Sequence, residues 1–262
     1  MQVRTYRKIH RYLGLVVGVQ LLLWTGSGLF FALNPIEKVR GETEQTEPPS
    51  VPADLGIASP GVALDELKDS GDHVEVLSVL LRPHLDGSVY EISYRENGVT
   101  RWALAEASSG ELREPVGRDE AAALARRDFA VSAEIAAVDL LTDVESDSEY
   151  RGGPLPAYRV AFDHPLGTNI YVSSDRGRVM ARRNNRWRQF DFLWMFHIMD
   201  YSTRDDFNTV WLQLASVLGL ITVFSGFILA GLTSPKLRRL FGGRKLVSRS
   251  GAADRRRTSQ PP

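Results

Sequence analysis

The residues best suited to acid–base or metal chemistry are five histidines, and the chain has no cysteine. Without thiols there is no disulfide, iron–sulfur cluster, thiolate metal site or covalent c-type haem attachment. A core domain of about 140 residues folds without disulfides, so an oxidising compartment stays open. His73, His84 and His164 show no metal-binding spacing such as H-E-x-x-H. His84 follows Pro83 and His164 precedes Pro165, so both are expected in loops rather than in a site. There is no G-x-S-x-G, no phosphate-binding loop and no dinucleotide fingerprint, and no catalytic residue is assigned. His10 and His197 differ from the other three, because each lies near a long apolar run.

The runs are residues 12–33 and 210–232. The first has about 22 residues without a formal charge, enough for a helix to cross a hydrocarbon core of ~30 Å, and the second is similar. Arg4, Arg7, Lys8 and Arg11 would also suit a secretory signal peptide. The stretch is too long for one, however, and ends in Phe31-Ala32-Leu33-Asn34-Pro35 without a small-x-small cleavage site, so an uncleaved anchor is expected.

The formal net charge is zero, but the halves of that balance are segregated. Residues 1–11 carry about +4 and residues 233–262 about +8, leaving about −12 for the chain between them. Lys236, Arg238, Arg239, Arg244 and Lys245 follow the second run as Arg4 to Arg11 precede the first. The positive-inside rule therefore puts both termini in the cytoplasm and the central segment outside. Arg182, Arg183, Arg186 and Arg188 lie in a loop far longer than ~60 residues, where basic residues have little effect on orientation. The Arg255-Arg256-Arg257 stretch reads as a cytoplasmic end attracted to anionic lipid. Gly14 and Gly18 form G-x-x-x-G, and Gly26, Gly28, Gly219, Gly226 and Gly231 add further small surfaces. Such residues permit close helix pairing, within one chain or in a homodimer.

Placed this way, His10 sits at the cytoplasmic mouth of the first span, and His197 lies in an aromatic segment expected at the outer interface. Neutral imidazoles are common axial haem ligands, and a haem in a bilayer takes them from helices packed around it. The two lie at opposite faces, ~30 Å apart, and cannot clamp one haem within a protomer. A dimer would pair His10 with His10 and His197 with His197, giving two haems. The plainer alternative makes both histidines interfacial groups that touch phosphates or carbonyls.

Between the spans, residues 41–59 are rich in Glu, Thr and Pro (Pro48, Pro49, Pro52) and read as an extended linker. An α+β pattern then appears twice. The first copy has a helix at about 61–68 and strands at 75–81, 88–94 and 100–104. The second has a helix at 119–129 with an acidic first turn, and strands at 137–141, 157–163, 169–173 and 178–182. Ser174-Asp175-Arg176-Gly177-Arg178-Val179 occupies the place of Ala107-Ser108-Ser109-Gly110-Glu111-Leu112, about 67 residues earlier. The segmentation expected is a cytoplasmic end 1–11, a span 12–33, a linker 34–58, repeats 59–117 and 118–186, an amphipathic interfacial segment 187–209, a span 210–232 and a basic tail 233–262.

Residues 119–180, a helix followed by antiparallel strands and a closing Asp-Arg-Gly turn, resemble a PepSY domain. Arg7-Lys8-Ile9-His10-Arg11-Tyr12-Leu13-Gly14 and Thr25-Gly26-Ser27-Gly28-Leu29 are similar to the first helix of PepSY-associated transmembrane proteins. Leu193 to His197 and Ser225-Gly226-Phe227 resemble the partner of that helix. The resemblance implies a bacterial inner-membrane protein with a periplasmic domain. For some members it implies haem b and outward electron transfer to ferric siderophores, with His10 and His197 as the matching ligands and a separate protein or quinone as donor. The family's soluble relatives imply instead a non-enzymatic, anchored module that engages or regulates an extracytoplasmic protein such as a peptidase. Larger members have four helices where this chain has two runs, which is the reason to expect a homodimer. Membrane lipid and an envelope or redox protein are the expected partners, and nucleic acid is not. A reporter fused at residue 120 is expected to be active only outside the cytoplasm; a cytoplasmic signal there would overturn the topology.

Overall fold

The computed structural model describes residues 3–51, 56–70, 73–85 and 87–234. Pro52 and the basic tail, with Lys236, Arg238, Arg239, Arg244, Lys245 and Arg255 to Arg257, lie outside them. The described chain is α+β. In order it comprises helices α1 (Val3–Leu33) and α2 (Ile36–Val39), a 3₁₀ turn (Glu42–Glu44) and helix α3 (Gly61–Ser70). Strands β1 (Val74–Pro83), β2 (Ser88–Glu96), β3 (Val99–Glu106) and β4 (Leu112–Arg113) follow. Helix α4 (Arg118–Asp128) precedes β5 (Ile135–Leu141), β6 (Ala157–Phe162), β7 (Asn169–Ser173) and β8 (Arg178–Arg183), and α5 (Asn185–Ile198) and α6 (Val210–Thr233) complete the order. The chain divides into two compact units, one of Met1–Leu22 with Gln213–Pro262 and one of Leu23–Leu212.

Two helices, Arg4–Leu33 and Val210–Thr233, are long and apolar enough to cross a membrane. Only 11% and 6% of their apolar windows are buried inside the protein, whereas a core helix would bury most of its apolar face. Leu15, Val16 and Leu22 on α1, and Phe224 and Phe227 on α6, are exposed. That surface is consistent with helices that lie in a membrane.

In the second unit each of two antiparallel meanders follows its own helix, in strand orders β1-β2-β3-β4 and β5-β6-β7-β8. Asn97-Gly98 joins β2 to β3 with both residues at positive φ (49° and 81°), as a two-residue hairpin turn requires, and so fixes the Glu96–Val99 register. Ala63 and Leu67 of α3 pack on Tyr90, Ile92 and Ala105. Ala121, Leu124 and Ala125 of α4 pack on Val138, Val160, Ile170 and Val172, and Val89 and Leu104 from the first sheet join that second core.

The alternation of side chains explains the joint. Tyr90 and Ile92 face α3, so Val89 and Glu91 point the opposite way, toward the second repeat. Glu91 is 2% exposed and is met there by Arg176 (Nε, 2.6 Å), Arg82 (Nε, 2.5 Å) and Arg178 (Nε, 3.3 Å). Leu104, its cross-strand partner, closes on Gly177. Gly177 has φ +58°, and a Cβ there would lie 2.8 Å from a Leu104 methyl, so only glycine fits the turn. Val116 and Ser174 exchange two further hydrogen bonds across the joint.

Residues 41–46 differ from the free linker that composition suggests. Gln45 forms a β-bridge with Phe129, Thr46 N–H donates to Asp128 O (2.8 Å), and Ala130 N–H donates to Glu44 O (2.9 Å). The segment thereby satisfies backbone groups at the end of α4. Replacing Glu91 by Ala leaves the three guanidiniums without their shared carboxylate, an expected loss of about 3 kcal/mol. Urea unfolding of the detergent-solubilised full chain checks it, and an unchanged midpoint would contradict the assignment.

Candidate functional site

His10 and His197 are held by the same local plan, in different units. In the first unit His10 on α1 meets Ser225 and Gly226 on α6. Its Nδ1 lies 2.7 Å from Ser225 Oγ, and that hydroxyl donates to the Thr222 carbonyl at 2.7 Å. A carbonyl oxygen only accepts, so the single serine proton is committed to it. Ser225 then accepts from His10, so in the neutral ring the proton sits on Nδ1 and the lone pair on Nε2. A Cβ on residue 226 would stand 3.2 Å from His10 Cε1, so the glycine is what lets the ring lie against α6.

In the second unit α5 presents Trp187, Phe190, Trp194 and His197 at helical spacing. Asn184 caps the helix by accepting from Trp187 N–H (2.9 Å) and is itself buried. Phe31 near the end of α1 packs against Phe190 (4.5 Å between centroids), Trp194 (5.8 Å) and His197 (5.4 Å). Trp24 Nε1–H donates to the His197 carbonyl (2.7 Å), supplying an acceptor near the helix end with a donor. His197 Nδ1 lies 2.8 Å from Ser27 Oγ, whose hydroxyl donates to Leu23 O (2.7 Å). The same proton count gives the same result: Nδ1–H to serine and a free Nε2. Burial pushes the His197 imidazole below its ordinary pKa and so favours this neutral ring. Gly28, adjacent to Ser27, lies in ordinary contact with Cε1, 3.9 Å from a built Cβ.

Two buried carboxylates position α5 and the loop after it. Asp191, 4% exposed, accepts from Arg151 (2.6 Å) and Arg204 (2.5 Å). Asp200, 3% exposed, accepts from the backbone N–H groups of Ser202, Thr203, Asp205 and Asp206 and from the hydroxyls of Ser202 and Thr203. Burial alone would raise its pKa, but these hydrogen bonds, led by those of Thr203, Asp206 and Ser202, hold it well below the carboxylate range. The segment expected to lie at the interface as one amphipathic stretch is thus a helix followed by a carboxylate-centred loop.

His84 lies in the loop between β1 and β2, as expected, but is only 7% exposed; its Nε2 lies 2.7 Å from Glu120, which also binds Arg113. His164 sets its ring edge-on to Phe129, and His73 occupies a turn at φ +57°. Among the described residues no three His, Asp or Glu side chains are grouped to hold a metal ion. A Cβ at Gly14 or Gly18 would meet nothing within 4 Å, so the described chain does not use the G-x-x-x-G face. No family model, curated protein or solved structure matches the chain.

Sequence reading picks out both histidines and both Ser-Gly steps, but not that each Ser-Gly receives one histidine. The available signal is that the same polar dipeptide recurs inside two apolar runs, where a lone hydroxyl needs a partner. The arrangement can offer two neutral Nε2 lone pairs to a metal or a proton. Because the Asp200 pKa is depressed on folding, its contribution to stability is present above the unfolded value of ~3.9 and declines as pH falls below it. Protection of the amides at 202–206, relative to their free exchange rates at each pH, is expected to be high at neutral pH and to fall below about pH 4. Asp200→Ala is expected to give low protection at every pH, and protection unchanged by that substitution would contradict this account.

Proposed function

We propose that the protein is a membrane-anchored electron-transfer component of PepSY type, with His10 and His197 as ligands of haem b. In this reading it sits in a bacterial inner membrane with both termini cytoplasmic and the two-sheet domain periplasmic. The observation that carries the reading is the shared histidine geometry. An axial imidazole works best when it is neutral, with one nitrogen fixed by a hydrogen bond and the other free for iron. Both histidines meet that description through Nδ1 and serine.

When bound, haem supplies one-electron redox chemistry. The residues of this chain hold and orient it. Ser225 and Ser27 select the tautomer and aim Nε2, and Gly226 admits the His10 ring. Trp24, Phe31 and Trp194 surround the His197 ring and keep water from it. In the proposed topology His10 lies at the cytoplasmic mouth of the first span and His197 in the segment outside, so each would serve its own iron. The second imidazole of each pair would come from the same residue of a second copy. The outer domain would position the electron acceptor, of the ferric-siderophore class, and a separate protein or quinone would be the donor.

Protein extracted in detergent from haem-replete cells is expected to show a Soret band. His10→Ala and His197→Ala should each remove part of it and together all of it. Ser27→Ala or Ser225→Ala should weaken haem affinity by about tenfold or more, as loss of a ligand's supporting hydrogen bond does. Colourless wild-type protein would overturn the proposal and leave the non-enzymatic module that engages an extracytoplasmic protein such as a peptidase.

A further inference from the structure

A cavity of about 390 Å³ opens beside α5, between the Arg40–Glu42 turn and the end of β8, remote in chemistry from the histidines. Four arginines line it: Arg40, Arg151, Arg182 and Arg183. Two are compensated, Arg151 by Asp191 and Asp205 and Arg182 by a bidentate pair with Asp128. Arg183 is not. Its Nε donates to the Glu149 carbonyl (2.7 Å) and one Nη to the Arg182 carbonyl (3.1 Å), and among the described residues no carboxylate is within ion-pair distance of it. Its guanidinium lies 4.4 Å from the centroid of the Trp187 ring, which covers one face and leaves the remaining N–H groups to the cavity. Burial pushes Arg183 below its usual pKa, the mark of a cation short of negative charge.

Arg40 supplies a second open cation. Its only ion-pair contact among the described residues is a 3.9 Å approach to Glu42, and its side chain is 61% exposed. Gly41, at φ +71°, lies against Arg182 and Asn184 and so sets the preceding Arg40 at the cavity. Of the carboxylates that line the cavity with Glu42, Asp205 pairs with Arg151, and Glu149 is occupied by Asn169, Tyr171 and Arg188, which all donate to it. The lining therefore combines a half-buried guanidinium without an ion pair, an open one at the surface, and an aromatic wall. Guanidinium forks of this kind match the oxygens of phosphate.

We propose that this cavity binds a phosphate ester through Arg183 and Arg40, with Trp187 as its wall. The ester is either the headgroup of an anionic phospholipid, reached because Arg40 follows the end of an apolar helix by seven residues, or a soluble phosphate ester.

The test uses the full chain in detergent. Isothermal titration with glycerol 3-phosphate probes the soluble source, and native mass spectrometry after exposure to phosphatidylglycerol micelles probes the lipid. Binding of either probe, weakened about tenfold or more in Arg183→Gln and in Arg40→Gln, is the expected result, as for loss of a charge-assisted hydrogen bond. Which probe binds identifies the source. If Arg183→Gln fails to fold, Arg40→Gln, a change at an exposed side chain, decides alone. Absence of binding by both probes, or binding unchanged by the substitutions, overturns the proposal. His10→Ala and His197→Ala should leave this binding intact whatever their effect on haem.

Discussion

A serine hydroxyl has one proton, and at two places in this protein the proton is already committed. Inside an apolar helix a serine satisfies itself by donating to a carbonyl three or four residues back, as Ser27 and Ser225 do. What remains is an acceptor in a region short of donors, and an imidazole N–H fills it. Each bond satisfies the serine and at the same time fixes which nitrogen of the ring is basic. Helix packing and candidate ligand chemistry thus depend on one hydrogen bond in each unit.

The two-sheet domain solves a related problem with full charges. Carboxylates buried in protein are costly unless every oxygen is engaged, and Glu91, Asp191 and Asp200 are each engaged several times over. Their placement follows from where separate parts of the chain must be joined. Glu91 joins the two repeats, Asp191 ties α5 to the loop at Arg151, and Asp200 closes the turn between α5 and α6. Against that pattern Arg183 stands out as the cation held by carbonyls and an aromatic face alone.

Much of the fold was legible before the structure. The apolar runs gave both long helices, and alternation with punctuating Gly, Asn and Asp gave seven of eight strands to within a few residues. The missed strand, Leu112–Arg113, is two residues long and carries no period. The aromatic residues Phe190, Phe192, Trp194 and Phe196 led to an interfacial reading of 187–209 but carry no sign of where helix α5 ends and the loop centred on Asp200 begins. The Gln45–Phe129 bridge is a contact between distant residues, invisible to any local window. The histidines were legible as outliers of type and place. Their pairing with Ser27 and Ser225 was not, because pairing across helices depends on rotation about each axis, which hydropathy does not encode.

Serine also suits these positions better than a carboxylate would. An aspartate opposite Nδ1 would favour a protonated ring, and a charged imidazolium has no lone pair left at Nε2. It would also place a second charge in an apolar run, where ionised groups are expensive. A neutral hydroxyl orients the ring without charging it. Gly226 completes the arrangement at Ser225, since a side chain at 226 would push the ring away from the helix that carries its partner. Ser225-Gly226 is therefore a single device, one residue supplying the acceptor and the next the room, whereas beside Ser27 the acceptor alone is needed, because a Cβ at Gly28 would make only ordinary contact with His197.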